Sequence, residues 1–267
     1  MNPEKLKRLL DDVANGRRSP DDALEDLAAL PYSDLGEARL DSHRWLRRGF
    51  PEAVLALGKT SENLAEILAE YEKREIPAII TQLPPRKTNL LRRAFPGFDY
   101  HQRARLGYLG PPPGEGEGRV VIVSGGTSDR PVVDEAFWTA RYLGAKTMVR
   151  PDVGVAGLHR IIDLIPELRR ANVVVAVAGM EGALPSVVAG LTGAPVIGVP
   201  TSVGLGVHDE GRTPLMAMLS SCVPGLVVVN VDGGFSAGYA AALINHLVVA
   251  GPARKKEEKP PKDRQGG

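Results

Sequence analysis

A short run of glycines and hydroxyl side chains follows the first strongly apolar segment in the second half of the chain. It reads SGGTSD at positions 124–129. Two glycines let a backbone approach a ligand closely, and a helix that starts near Asp129 would direct its N-terminal amides to the same place, as phosphate sites require. Asp129 could then bind a ribose hydroxyl, or the run could be only a tight turn in which Asp129 or Ser128 caps the helix. Three hydroxyls beside two glycines favour the phosphate site.

Three later loops each carry a charged side chain of interest. Arg160, next to His159, could pair with a phosphate or carboxylate, or could equally well lie at the edge of a buried helix. Glu181 stands between two glycines in an otherwise apolar segment, where a carboxylate costs free energy unless a partner or ligand compensates it. Asp232, after the last apolar run, is either a ligand contact or a turn residue.

The single cysteine, Cys222, excludes an intrachain disulfide and a cysteine-based zinc cluster. It precedes the last apolar run and stands beside two serines rather than within an apolar segment. Isolated cysteines are more often small buried hydrophobes than nucleophiles. A nucleophilic thiol would require a nearby cation, for which Arg160 is a candidate.

The long connection at 200–214 carries His208, Asp209 and Glu210. These are metal-ligand types, but three adjacent side chains on a loop rarely converge on one ion, which favours a solvated turn. Residues 86–105 are strongly basic with interleaved aromatics. This pattern is typical of a polyanion-binding surface or of a solvated segment or oligomer contact, and the second is favoured because arginine stems often cover apolar surface.

The second half of the chain contains five apolar runs, separated by helical stretches. Continuous runs of this kind indicate strands buried on both faces, and their alternation with helices predicts a three-layer α/β domain with a parallel sheet. Ligands of such sheets bind beyond the carboxyl ends of the strands, which is where the loops above would meet. The five runs are 119–123, 145–149, 172–178, 195–199 and 226–231.

The first half predicts a smaller domain of short helices with little sheet. Strands are expected at 52–57 and 77–85, with a helix between them whose face is Leu64, Ile67, Leu68 and Tyr71. The predicted organisation is an N-terminal helical or mixed domain at 1–109, a Pro/Gly linker at 110–118, a catalytic domain at 119–250 and a disordered polar tail at 251–267.

The composition argues against a nucleic-acid-binding, membrane-associated or secreted protein. With 33 Lys and Arg against 32 Asp and Glu, the net charge is +1, so no global field attracts nucleic acid or an acidic membrane. The charged first residues predict no signal peptide, and no uncharged run reaches the roughly 18 residues of a membrane span. A cytoplasmic protein is expected.

Several ordered motifs resemble those of LarB, the pyridinium-3,5-biscarboxylic acid mononucleotide synthases of nickel-pincer cofactor biosynthesis. The resemblance spans most of residues 40–248 and is carried by SGGTSDRPVVDEA (124–136), VGVAGLHR (153–160), the segment at 172–204 and SCVPGLVVVNVDGGF (221–235). The C-terminal half is more distantly similar to the aminoimidazole ribonucleotide carboxylases and mutases (PurE-like). Their Ser-Ala-His-Arg-Thr-Pro loop is replaced here at 155–160, which argues against the purine activity.

The resemblance implies a flavodoxin-like, PurE-like fold and a carboxylase that acts on nicotinic acid adenine dinucleotide. CO2 or bicarbonate is the co-substrate, AMP is released, Mg2+ is expected with unknown ligands, and the chain is expected to form a homo-oligomer, possibly an octamer. Cys222 would be the nucleophile, Glu181 a proton acceptor or ring-positioning group, and Arg160 a phosphate or carboxylate ligand. The nucleotide would be held by Ser124, Gly126, Thr127, Ser128 and Asp129, with Asp232 as a further candidate.

Two other functions stay open. One is a carboxylase or mutase acting on a purine ribonucleotide, whose electron-rich imidazole requires no thiol. The other is a non-catalytic nucleotide-binding module, in which Cys222 could be replaced without loss of ligand binding.

Overall fold

The computed structural model describes residues 3–28, 33–34, 39–40, 50 and 52–251. The chain begins with helices α1 (Pro3–Ala14) and α2 (Pro20–Ala28), followed by a two-stranded antiparallel ribbon of β1 (Ser33–Asp34) and β2 (Arg39–Leu40). Ser19 stands before α2, and its hydroxyl accepts a hydrogen bond from the Asp22 amide at 3.0 Å, as an N-cap does.

A four-stranded mixed sheet follows. Its order is β3-β4-β6-β5, with β3 parallel to β4 and the other pairs antiparallel. Helix α3 begins at the cap of Thr60 and buries all four residues of the predicted face against this sheet. The elements are β3 (Ala53–Leu55), α3 (Ser61–Lys73), β4 (Ala78–Thr81), α4 (Thr88–Ala94), β5 (Phe98–His101) and β6 (Leu106–Leu109).

The second half forms a five-stranded parallel sheet in the order β8-β7-β9-β10-β11. The strand order reverses between β7 and β9, which is the switch point of a doubly wound sheet. Its strands are β7 (Glu117–Ser124), β8 (Ala145–Arg150), β9 (Val173–Ala178), β10 (Val196–Pro200) and β11 (Leu226–Val228). Its helices are α5 (Arg130–Tyr142), α6 (Leu158–Ile162), α7 (Ile165–Leu168), α8 (Leu184–Leu191), α9 (Arg212–Leu219) and α10 (Gly234–Ala250).

Alternate residues of the central strands face two separate apolar cores. Val120 and Ile122 pack with α5 and α10 on one face, whereas Val121 and Val123 pack with α6, α8 and α9 on the other. All four valine and isoleucine side chains are fully buried. The predicted three-layer α/β fold is therefore confirmed, and the continuous apolar runs are explained by burial on both faces.

The two sheets share one apolar core through α5. Ile79, Leu106 and Tyr108 of the mixed sheet pack into the cluster that contains α5. The Tyr108 ring stacks on Tyr142 with centroids 3.8 Å apart, and His101 stacks on Trp138 at 3.6 Å. The N-terminal sheet is therefore fixed against the C-terminal domain by packing as well as by chain connectivity.

The prediction of little sheet in the first half is wrong for residues 53–109. Strands β5 and β6 fall in and just after the basic segment, where four-residue strands containing charged and aromatic side chains give no clear period. Strand β7 begins at Glu117, two residues inside the predicted linker at 110–118. Apart from Gly251, the predicted tail lies outside the described residues. No helix in the described part of the chain is long and apolar enough to cross a membrane.

Candidate functional site

A cleft of about 530 Å³ opens at the carboxyl edge of the parallel sheet. It is lined by the loops that follow β7, β8, β9 and β10, at the switch point of the strand order. The loops approach closely because two positions have no side chain. A Cβ on Gly154 would lie 2.7 Å from the Gly125 carbonyl oxygen, and one on Gly179 would lie 2.2 Å from that of Val203.

The 124–129 loop forms one wall of this cleft. Gly125, Gly126, Ser128 and Asp129 line it, whereas Thr127 is exposed and is not among the lining residues. Ser124 is fully buried at the end of β7. The loop leads directly into α5, so that the amino end of a 13-residue helix begins at the cleft. Backbone amides, glycines and a hydroxyl at a helix start are the elements of a phosphate site.

Asp129 organises the loop as well as lining the cleft. One carboxylate oxygen accepts a hydrogen bond from the Gly126 amide and the other accepts one from the Thr201 hydroxyl, both at 2.9 Å. Burial raises the pKa of Asp129, these hydrogen bonds oppose the rise, and the nearby Asp232 charge adds to it. Asp129 stands at the N-cap position of α5, but its side chain makes no cap hydrogen bond to that helix. Its carboxylate instead closes the turn at Gly126 and joins the loops after β7 and β10.

Glu181 lines the cleft from the loop after β9. The expectation that it is a carboxylate inside an apolar environment is wrong, because the side chain is exposed at the mouth. Its apolar neighbours lie beneath it in β9 and α8. Glu181 is therefore free to meet a ligand without a burial cost.

Arg160 and Asp232 both lie close to the cleft but do not line it. Arg160, on α6, forms an ion pair with Asp152 at 3.0 Å and packs over Gly157. Asp232 accepts a hydrogen bond from the Ser202 amide at 2.9 Å and faces a second cavity described below.

Cys222 is exposed and does not line the cleft of its own chain. Helix α9 runs from Pro214, which packs on Gly182 at the cleft, to Met218, which packs on Gly198 in the middle of β10. Cys222 lies further along, in the loop that enters β11 from the amino edge of the sheet. The candidate cation, Arg160, pairs with Asp152 in the connection after β8, which crosses to the end of β7. Strands β9 and β10 stand between β7 and β11, the strand that Cys222 precedes.

The loop after β10 contains a buried histidine and an exposed apolar tip. His208 is 4% exposed, so the expectation of a solvated turn is wrong for this residue. Its Nδ1 accepts a hydrogen bond from the Gly211 amide at 3.2 Å, while Asp209 and Glu210 are exposed. Within the described ranges, no three His, Cys, Asp or Glu side chains come together in a group that could hold a metal ion.

A second cavity, of about 240 Å³, lies between the two sheets. The N-terminal domain contributes Gln82, Arg103 and Arg105, and the C-terminal domain contributes Glu135 and Asp232. Sequence reasoning did not find Glu135, which stands in an ordinary amphipathic helix. Arg103 and Arg105 belong to the basic segment that was predicted to be a solvated face.

Glu135 joins the two domains. Its carboxylate accepts hydrogen bonds from the Thr81 hydroxyl and, at 3.2 Å, from the Gln82 amide. Burial raises the pKa of Glu135, and hydrogen bonds from Thr81 and from the Phe235 amide oppose that rise.

Two family models match the chain. The LarB/PurE-like N-terminal domain matches residues 32–111, and AIR carboxylase matches residues 119–259. The second match contains the parallel sheet except for the first two residues of β7, and it contains the cleft at the carboxyl edge of that sheet.

The chain is also similar to individual proteins. The uncharacterized protein MJ0165 of Methanocaldococcus jannaschii is 35% identical over 258 residues, which is 92% of this chain and 98% of that protein. The N5-carboxyaminoimidazole ribonucleotide mutase of the same organism is 35% identical over 136 residues, 49% of this chain and 78% of the mutase. A type II dehydroquinase from Propionibacterium acnes covers 49% of this chain and 99% of its own at 12% identity. Its TM-score is 0.32, a similarity too low to bear on function.

Proposed function

Because the chain belongs to the LarB-like family, in which a LarB/PurE-like N-terminal domain precedes an AIR carboxylase domain, we propose that it carboxylates nicotinic acid adenine dinucleotide. The products are pyridinium-3,5-biscarboxylic acid mononucleotide and AMP. The observation that carries the proposal is the occurrence of both domains on one chain whose cleft combines a phosphate-type loop with the exposed carboxylate of Glu181.

The cleft suits the nucleotide end of a pyridinium ribonucleotide. The amides and hydroxyl of the 124–129 loop would hold its phosphate, and Asp129 keeps that loop in place through Gly126 and Thr201. The remaining walls, from Val155, Ala178, Leu184 and Val203, are mainly apolar and would receive the flat ring.

Carboxylation of a pyridinium requires a nucleophile, because the electron-poor ring does not attack CO2. The Cys222 thiolate would add to C4 of the ring, forming an S–C4 bond and a neutral dihydropyridine whose C5 is enamine-like. C5 then forms a bond to CO2, and Glu181 takes the proton from C5. Departure of the thiolate from C4 restores the aromatic pyridinium. Water finally cleaves the phosphoanhydride, which releases AMP.

The position of Cys222 places a condition on this reaction. Cys222 is exposed and is not among the residues that line the cleft of its own chain, so a second copy would have to present the thiol to the ring. The proposed active form is therefore a homo-oligomer in which each site takes its cleft from one subunit and its nucleophile from another.

Mg2+ would assist cleavage of the phosphoanhydride. The side chains of the described residues do not form a ligand set for it, so these residues alone do not fit a resident metal site. No step above passes through a metal ion.

Incubation with nicotinic acid adenine dinucleotide, ¹³C-bicarbonate and Mg2+, followed by mass spectrometry, tests the proposal. Wild-type protein should release AMP and a mononucleotide heavier by one labelled carboxyl group. Cys222→Ala should lower the rate by at least about 10³-fold, because no covalent intermediate can form. Ser220→Ala, an exposed change in the same loop, is the matched control and should keep the wild-type rate. AMP release without labelled product would reduce the protein to a hydrolase and overturn the proposal.

The similarity to the ribonucleotide mutase supports a second candidate, a reaction on a purine ribonucleotide at the same cleft. Aminoimidazole ribonucleotide in the same assay distinguishes the two. An electron-rich imidazole requires no thiol, so under this alternative Cys222→Ala would remain active.

A further inference from the structure

The cavity between the two sheets adjoins the main cleft. Ser128 and Val203 line both of them. The two spaces are therefore adjacent, and Ser128 and Val203 form the boundary between them.

The interdomain cavity contains arginines as well as carboxylates, whereas the charged residues of the main cleft are both carboxylates. Arg105 is exposed and makes no ion pair recorded within the described residues, while the Arg103 guanidinium contacts Asp134. The Arg105 carbonyl accepts a hydrogen bond from the Leu83 amide at 2.7 Å, so the backbone that carries this guanidinium is held by the N-terminal sheet. Arginine is the side chain best suited to the oxygens of a phosphate.

The opposite side of the cavity supplies acceptors. Asp232 has one carboxylate oxygen occupied by the Ser202 amide, which leaves the other for a donor. Hydroxyls of a ribose are donors of the right kind. Glu135 also lines this cavity, but its carboxylate already accepts hydrogen bonds from Thr81 and Gln82. A cavity with arginines on one side and Asp232 on the other matches a 5′-nucleotide, which has a phosphate at one end and hydroxyls beside it.

Both arginines come from the N-terminal domain. The segment matched by AIR carboxylase, 119–259, contains the main cleft but neither Arg103 nor Arg105. Both lie within 32–111, the segment matched by the LarB/PurE-like N-terminal domain. The added domain thus contributes the cationic side of a second nucleotide-sized space.

We propose that the interdomain cavity binds the adenylate half of the dinucleotide, with Arg105 on its phosphate and Asp232 on its ribose. The main cleft then holds only the pyridinium half. This assignment rests on the proposed function for the identity of the whole ligand, but adenylate binding can be measured without turnover.

Calorimetric titration of the full chain with AMP tests the assignment. Wild type should bind AMP, and saturating nicotinic acid mononucleotide should leave the AMP affinity within about twofold, since the two ligands occupy different spaces. Arg105→Gln should weaken AMP and the dinucleotide by about tenfold or more and leave the mononucleotide unchanged, the size expected when a charge-assisted hydrogen bond is lost. Arg93→Gln, an exposed arginine on α4 away from the cavity, is the matched control and should change none of the three.

Three results would overturn the assignment: no AMP binding by wild type at millimolar concentration, displacement of AMP by the mononucleotide, or equal loss of both ligands in Arg105→Gln. A melting temperature shows whether that variant is folded, and Arg103→Gln serves as the second variant if it is not. AMP binding that depends on Arg105, without carboxylation, would contradict the proposed function and leave the adenylate site standing.

Discussion

The two cavities of this protein differ in what lines them. The cleft at the carboxyl edge of the parallel sheet is built from glycines, backbone amides and apolar side chains, and among the described residues that line it only Asp129 and Glu181 are charged. The interdomain cavity is half its volume and is lined by two arginines and two carboxylates. The walls of the cleft are therefore mainly backbone and apolar groups, whereas those of the interdomain cavity include long charged side chains.

This difference in lining suggests that the cleft serves the chemical reaction and the interdomain cavity serves ligand binding. A backbone-lined cleft at a switch point offers fixed dipoles and a closely fitted wall, which suits chemistry on a positioned ring. Arginine guanidinium groups bind phosphate oxygens by charge and paired hydrogen bonds, which contributes affinity and does not require contact with the reacting ring. We therefore expect changes in the cleft to lower the rate and changes in the interdomain cavity to lower the affinity.

The largest effect after loss of the thiol is expected at Glu181. Glu181→Gln keeps the shape of the side chain but removes the proton acceptor, and kcat should fall by about 10²-fold or more. Steady-state kinetics with the dinucleotide should show KM unchanged within a few-fold, whereas Arg105→Gln should raise KM and keep kcat.

Glu62→Gln, an exposed change on α3, is the control for Glu181→Gln. If Glu181→Gln raised KM and left kcat unchanged, Glu181 would only bind the ligand, and the division of tasks between the two cavities would fail.

A smaller effect is expected at Asp129. Asp129→Asn places an amide where the Gly126 amide and the Thr201 hydroxyl both donate, so one hydrogen bond is lost and the loop loosens. We expect the affinity for both the mononucleotide and the dinucleotide to fall by about tenfold.

Calorimetric titration of Asp129→Asn with each ligand measures this. Loss of dinucleotide affinity alone would mean that the 124–129 loop serves the adenylate half, which reverses the assignment of the two cavities.

The smallest effect is a pH dependence at the domain contact. Burial raises the pKa of Glu135 above that of the unfolded chain. The stability that its proton confers is complete below the unfolded pKa of about 4.3 and is lost as the pH rises through the raised value. Urea unfolding of wild type and Glu135→Gln from about pH 4.5 to 7.5 should show wild type losing stability relative to the variant as the pH rises.

An unfolding free-energy difference that stays constant across this range would contradict the argument, since it would mean that Glu135 titrates alike in both states. Glu115→Gln, at an exposed glutamate within the 110–118 segment, provides the reference variant for the same titration.

The parallel sheet could be predicted from sequence because its strands are uninterrupted runs of valine and isoleucine. Val173–Ala178 is buried at every position. Because both faces of the strand are buried, every residue is apolar, and the uninterrupted apolar run can be recognised in the sequence. The short strands of the mixed sheet could not be predicted. Leu106–Leu109 is equally buried, but four residues that include Gly107 and Tyr108 give no periodicity to detect.

The site was predictable in part. The loop at 124–129 and Glu181 follow neighbouring strands, and the rule that ligands bind at the carboxyl edge was enough to associate them. Arg160 does not pair with Cys222, because it pairs with Asp152 in a connection that lies against β7, whereas Cys222 precedes β11. Chain order does not reveal that β9 and β10 stand between these two strands. The interdomain cavity could not be predicted, because it is formed by the packing of one domain on the other. The types and spacing of the residues along the chain do not indicate that packing.

Subunit complementation tests the central claim most directly. Glu181→Gln and Cys222→Ala are co-expressed with different affinity tags, and heteromers carrying both tags are purified and assayed with the dinucleotide and ¹³C-bicarbonate. If each site combines a cleft from one subunit with a thiol from another, some sites regain both groups, and roughly half the wild-type rate should return in a paired assembly. Heteromers as inactive as either variant alone, beside an active wild type, would show that cleft and thiol do not meet across subunits.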